Sequence, residues 1–435
     1  MSASITTAYL ARYRSLTASA GSADLLPLTG AQRRFLLARR LDPQGRPDVV
    51  PLFFAFPRGT VDPTRLRRAA TRVAGRHPAL HGTFASVRGT PVLRLGAPTA
   101  EVREVLVPPG GTAEDAIRRE LLAWPADGPA LRLLLARGAA EEELLAVALD
   151  HAACDEQSLG MVTADLARAY REDSFDDFDD ADPRAAENAY REAVELQLAA
   201  EAAASSAGAH AHWAARLGSL TGAGTAQPVK AEAPDATGML SERLPAAVRA
   251  ARGAVFPALL DAVSAAARSL FGAHRALALG YPWGGRPPAA PQVLGCFLNT
   301  LVHPAVAGPT DLDELSSAWW EDLDHADTPF DEVVHAARSA GARWSGALDG
   351  LLTFEDLHRR PPLELGGTVG RETHLAGRPL AAPFAVSASH GDDLLVRLAW
   401  DRSRYTETAA LAAFEHLLHT LQRHLGPAPQ ALRRQ

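Results

Sequence analysis

The run Leu145-Ala-Val-Ala-Leu149 contains no polar side chain and ends in Asp150-His151-Ala-Ala-Cys154-Asp155-Glu156-Gln157-Ser158. An apolar stretch of strand length that stops at a polar turn puts its last side chains at a sheet edge or mouth, where a ligand reaches them. Residues 161–170 follow with helical apolar spacing. The chain must therefore accommodate a buried strand, a tight polar turn and a helix in direct succession. That turn presents one imidazole, one thiol and three acids: Asp150, Asp155 and Glu156.

Histidine loses its proton near neutral pH, so His151 suits a base acting on an amine or hydroxyl nucleophile. Asp155, four positions on and past a turn, does not easily reach the same imidazole and needs a cation of its own. A stray histidine in a solvated turn is the plainer reading of the same residues. Cys154 reads either as a small buried thiol or as an acyl-accepting nucleophile activated by His151. With Cys296 as the one other cysteine, the chain cannot build a disulfide framework or a zinc site from cysteines alone. A reducing, cytoplasmic setting is expected.

At 435 residues and 47% hydrophobic composition, the chain is long enough for two globular domains of ordinary size. A formal net charge of −7, with no basic stripe interleaved with aromatics, argues against a nucleic-acid partner. No apolar run reaches membrane-spanning length, and 1–21 lacks the apolar core of a signal peptide, so no membrane partner is expected.

Thr29 caps a helix reaching position 40, 49–57 is a strand, and Asp62 caps a helix that ends at Gly75-Arg76-His77-Pro78. Thr83-Phe84 and 92–95 form a strand pair, 113–122 a helix, and 129–137 and 143–149 adjacent strands joined at Gly138. The acidic cluster 173–183 reads as a solvated loop; Phe175 and Phe178 interrupt the donor spacing of a calcium loop. Residues 187–217 are alanine-rich and helical. A stretch without periodicity follows, and it sets the division: an N-terminal extension 1–24, a first subdomain 25–217, a linker 218–237 and a second subdomain 238–435. The second half opens with a strand at 238–244, a helix at 257–271 and a strand at 275–280. A rigid loop at 281–288 carries Trp283 and Arg286, and an apolar segment at 293–302 holds Asn299. Helices at 311–322 and 329–340, strands at 384–389 and 394–401, and a helix at 406–425 complete the pattern.

Taken together these residues resemble the condensation domains of nonribosomal peptide synthetases. Asp150-His151-Ala-Ala-Cys-Asp155-Glu156 stands where the family has His-His-x-x-x-Asp-Gly. Five further segments match in order: Pro27-Leu-Thr-Gly-Ala-Gln32, Arg76-His77-Pro-Ala-Leu80-His81-Gly-Thr83-Phe84, Pro282-Trp-Gly-Gly285-Arg286, Leu294-Gly-Cys-Phe297-Leu-Asn299-Thr300-Leu301 and His325-Ala-Asp-Thr-Pro329-Phe330. The resemblance implies a mixed α/β (α+β) fold of two chloramphenicol-acetyltransferase-like subdomains in a V, with substrates meeting in a central tunnel. It implies an acyltransferase in natural-product (antibiotic) biosynthesis, fed by carrier proteins whose phosphopantetheine arms reach His151, with no tightly bound cofactor and no metal. His151 would position or deprotonate a small-molecule acceptor amine, or a hydroxyl, as it attacks the donor thioester, while a backbone N–H helps hold the oxyanion. Asp155 would pair with the Arg286 fork and keep the loop's shape. Asn299, Cys154, Ser158, Trp283 and Cys296 would line the tunnel. No adenylation-like or carrier-like segment fits in the remaining residues, so a free-standing condensation enzyme is expected.

The chain departs from the family pattern at the motif itself. Asp150 replaces the first histidine, and a carboxylate close to the imidazole favours the imidazolium and weakens the base. Glu156 replaces glycine, where it narrows the tunnel or offers a second acid/base group. His81 replaces an arginine. Asp150, Asp155 and Ser158 also spell the Asp-x-x-x-x-Asp-x-x-Ser pattern of heterocyclization domains, which do not keep the histidine. The remaining alternative is a catalytically altered domain that acts as a recruitment scaffold.

Overall fold

The computed structural model describes residues 4–20, 24–43, 48–125, 128–138, 141–172, 182–221, 237–244, 255–272, 274–306, 308, 311–378 and 380–425. It forms two compact units, each assembled from separate stretches of chain. The first comprises Met1–Ala203, Gly284–Asn299 and Arg359–Leu375; the second comprises Ala204–Trp283, Thr300–His358 and Ala376–Gln435. A linear division at 218–237 does not describe this interleaving, because two stretches from the second half of the sequence complete the first unit. Most of the expected linker (222–236) and of the expected acidic loop (173–181) lie outside the described residues.

The first unit is built on a five-stranded sheet in the order Arg371–Thr373, Val49–Pro57, Glu142–Asp150, Leu131–Arg137, Glu101–Val105. The strand Glu142–Asp150 lies in the middle, paired antiparallel on both sides, with Val147 opposite Leu52 on one flank and Leu133 on the other. Successive side chains of a strand point to opposite faces. Here Leu145, Val147 and Leu149 enter one core while Leu144, Ala146 and Ala148 enter another. Burial on both faces is why this strand shows no polar alternation.

The residues expected as an N-terminal extension instead form a helix, Ile5–Ala20, that belongs to this core. Tyr9, Tyr13 and Leu16 are buried at i, i+4, i+7 spacing. Tyr9 Oη donates to Pro91 O at 3.1 Å and accepts Leu28 N–H at 2.7 Å, and Tyr13 Oη donates to Leu25 O at 2.9 Å. The incoming stretch 359–375 buries Leu363 and Leu365, turns through a small hairpin, and adds Arg371–Thr373 to the sheet edge with Thr373 opposite Phe53. Gly370 is required there, since a Cβ would fall 2.4 Å from the Phe56 ring.

The second unit holds a six-stranded sheet in the order Asn299–Ala305, Leu277–Trp283, Gly350–Asp356, Phe384–His390, Leu394–Asp401, Thr237–Leu244. The helices Val255–Phe271 and Glu407–Leu425 pack against each other, over a core that includes Trp344, Trp400 and Phe384. The strand Gly350–Asp356, parallel to both neighbours, has no counterpart in the sequence reading. The single helix expected over 187–217 is two, Pro183–Ala204 and Ala207–Leu217, interrupted where Ser206 caps the second by accepting from Ala209 N–H. No described helix is long and apolar enough to cross a membrane.

Candidate active site

The polar turn is held by the backbone before any side chain acts. Asp150 N–H donates to Ala130 O at 2.8 Å and His151 N–H to Asp48 O at 2.9 Å, so sheet-like bonding persists to the first motif residues. A single 3-10 turn, His151–Ala153, follows; Asp150 caps it by accepting Ala152 N–H at 2.8 Å. Asp155 then caps the helix Glu156–Arg171, accepting Ser158 N–H at 3.0 Å. Two caps five residues apart explain why the strand stops and the helix starts without an intervening loop.

His151 is half-buried, and its Nδ1 lies 3.3 Å from Cys154 O. A carbonyl oxygen only accepts, so Nδ1–H donates in this contact; in a neutral ring that leaves the lone pair on Nε2. The ring packs on Phe35, with centroids 4.6 Å apart and planes tilted by 32°.

Phe35 lies on the helix Gly30–Leu41, which grips the turn at three points. Gln32 Nε2 donates to Ala152 O at 2.9 Å and to Tyr190 Oη at 3.0 Å. Arg39 places Nη1 2.9 Å and Nη2 2.5 Å from the two oxygens of Asp150. Positions 32, 35 and 39 share one helix face. The cap expected at Thr29 is present and takes the form of a capping box, with Thr29 and Gln32 exchanging hydrogen bonds. Burial alone would lower the pKa of Arg39; the hydrogen bond and charge of Asp150 outweigh it and hold that pKa above the ordinary arginine value. The sequence reading singles out neither Phe35 nor Arg39 as a site residue; their i, i+3, i+7 spacing from Gln32 is the signal that would have found them.

Arg286 meets Asp155, but not as a two-pronged fork. One nitrogen, Nη2, straddles both carboxylate oxygens at 2.7 Å, while Nη1 is spent on Val293 O. The carboxylate also accepts Phe297 N–H at 3.1 Å. Ser158 Oγ lies 2.8 Å from both Asp155 Oδ1 and Gly295 O and accepts Gly295 N–H at 3.1 Å. The stretch Gly284–Asn299 is thereby fastened to the motif helix. Gly295 has no room for a Cβ, which would fall 2.5 Å from the Phe297 ring.

Glu156 turns to another partner: its half-exposed carboxylate accepts from Arg360 Nη2 at 2.9 Å. Arg360, itself buried, also reaches Glu372 at 2.5 Å. Asp150 is buried and bound to Arg39.

The residues expected to line a substrate passage differ in exposure: three are buried and two are partly buried. Cys154, Cys296 and Ser158 have no exposed surface. Burial raises both thiol pKa values, which argues against Cys154 as a nucleophile. Trp283 belongs to the second unit, partly buried on that core. Asn299 is half-buried at the end of the Gly284–Asn299 stretch.

The condensation-domain family model matches residues 22–434. The probable non-canonical nonribosomal peptide synthetase CymA of Salinispora arenicola (strain CNS-205) is 31% identical over 334 residues, 72% of this chain and 4% of that protein. Tyrocidine synthase 2 of Brevibacillus parabrevis is 27% identical over 150 residues, 33% of this chain and 4% of the synthetase. The chain thus spans about 4% of the length of these curated relatives. Among solved structures, a mutant starter condensation domain of rhizomide synthetase RzmA in complex with C8-CoA superposes with a TM-score of 0.71 at 17% identity, covering 94% of this chain and 96% of that one. The first condensation domain of the calcium-dependent antibiotic synthetase, bound to a substrate analogue, gives 0.69 at 19% identity over 94% and 98%. The fold and the motif order agree: the chain belongs to the condensation-domain family of nonribosomal peptide synthetases.

Proposed function

We propose that this chain is an acyltransferase that joins a thioester-bound acyl or aminoacyl group to an amine acceptor, forming an amide, with His151 as the base. A hydroxyl acceptor would give an ester by the same chemistry. The observation that supports it is the contact of His151 Nδ1 with Cys154 O, which in a neutral ring leaves the lone pair on Nε2. In the reaction the acceptor nitrogen attacks the thioester carbonyl and its proton passes to Nε2. The tetrahedral intermediate then collapses, the C–S bond breaks, and the thiolate leaves and takes the proton. A nearby backbone N–H would help hold the developing oxyanion.

The donor class rests on family membership. A related structure carries C8-CoA, a thioester whose acyl group hangs on a pantetheine arm, and carrier proteins would present the same arm to this chain. Asp155 is proposed to act structurally, because its carboxylate is committed to Arg286, Ser158 and Phe297 N–H. The heterocyclization reading loses support for the same reason: Asp150, Asp155 and Ser158 are each tied into fixed hydrogen bonds.

The test is amide formation from an acyl-carrier thioester and a panel of amines. A His151→Ala variant as active as the parent overturns the reading. Turnover that appears only after Asp150→His and Glu156→Gly together would make the natural chain a scaffold.

A further inference from the structure

We infer that Arg39 is a positioning residue for the proposed reaction: its guanidinium takes up the charge of Asp150, so that the neighbouring His151 meets the acceptor as a neutral base. This rests on the acyltransfer reading above. A carboxylate next to the catalytic imidazole should be harmful, since it stabilises the protonated ring. The chain retains that carboxylate and places it where its side chain is only 8% exposed. Each Asp150 oxygen receives one guanidinium nitrogen, at 2.5 and 2.9 Å, and one of them also receives Ala152 N–H at 2.8 Å. A two-pronged pair of this kind is directional and strong, and it fixes the carboxylate plane as well as its charge.

Other charged groups around the turn are engaged elsewhere, and the charge of Arg34, on the same helix, bears on Cys296. Asp155 is bound to Arg286 and Glu156 to Arg360. Cys154 and Tyr190 are kept protonated by burial. Asp48 contributes its backbone oxygen to His151 N–H, and its charge bears on Arg39 as well. Arg39 is thus the cation seated on the acid that immediately precedes His151 in the sequence. The same helix supplies Phe35 against the ring and Gln32 against Ala152 O, so charge and orientation come from one rigid element.

The experiment measures rate against pH and, separately, the NMR titration of the His151 ring, identified by the resonance lost in His151→Ala. Arg39→Met should move both the acid limb of the rate profile and the ring titration upward by about one pH unit or more. It should also cut the rate at pH 7 about threefold, the loss of neutral imidazole when an ordinary histidine near 6.5 moves up by one unit, with KM for the donor little changed. Adding Asp150→Asn to that variant should bring both curves back to the parent position, a rescue that a merely structural role does not predict. If Arg39→Met does not fold, Arg39→Lys with its charge kept and Arg39→Gln without it make the same comparison. Unmoved curves in the charge-removing variant, or no rescue by the double variant, overturn the inference. A moved ring titration in a protein whose His151→Ala variant is still fully active overturns only the acyltransfer reading.

Discussion

Arg286 Nη2 sits 2.7 Å from each oxygen of Asp155, across 131 residues of sequence, and both side chains are at least nine-tenths buried. Removing one partner of such a pair leaves an uncompensated charge in the interior. Arg286→Ala should therefore cost about 3–5 kcal/mol of stability, far more than an exposed pair would. Asp155→Asn combined with Arg286→Gln should cost less than either single change. Denaturant unfolding of the four variants, compared at equal m-value, checks the ordering.

Glu156 provides the contrast. Its side chain is 48% exposed, so the contact with Arg360 is screened by water. Glu156→Gln should cost less than about 1 kcal/mol and leave acyl transfer close to the parent rate. A large loss of rate with stability intact would reinstate this carboxylate as an acid/base group.

Removal of the imidazole should act on chemistry and not on folding. His151→Ala should lower the transfer rate by about 10²–10⁴-fold, the usual contribution of a placed general base. His151→Gln should do the same, because an amide cannot accept the proton. Single-turnover kinetics isolates this step from substrate binding.

Cys154 and Cys296 should stay unlabelled by iodoacetamide in the folded protein and react together once it is unfolded. Both thiols are fully buried and burial raises their pKa values, so neither supplies thiolate. Cys154→Ala should keep its activity. Native labelling of Cys154 with loss of turnover would revive it as the acyl acceptor.

His303 gives the second unit a pH dependence. It is buried, and burial pushes its pKa down to about 3. The unfolded chain, with an ordinary histidine near 6.5, binds the proton first as the pH falls. Stability from this site is therefore complete above about pH 6.5 and is lost progressively as the pH drops toward 3. His303→Leu should flatten the fall in unfolding free energy between pH 7 and 4, which denaturation at several pH values measures.

Wherever a signal was local, the sequence carried it. The capping box of Thr29 and Gln32 and the cap at Asp62 can be read within four residues. The buried character of Glu142–Asp150 is visible in its unbroken apolar run. The need of Asp155 for a separate cation follows from the reach of its side chain. The missing elements are short or weakly patterned. Arg371–Thr373 has three residues, and its place at the sheet edge comes from pairing with Val49–Pro57.

The amino-acid order by itself determined the strand, turn and helix that carry His151, because hydrophobic period, capping and turn chemistry all act over a few residues. Tertiary structure alone decided which charge meets which. Arg39 and Asp150 are 111 positions apart and Glu156 and Arg360 are 204 apart. Neither pairing leaves a trace in local periodicity, since an ion pair depends on distance in space, which only the folded topology supplies.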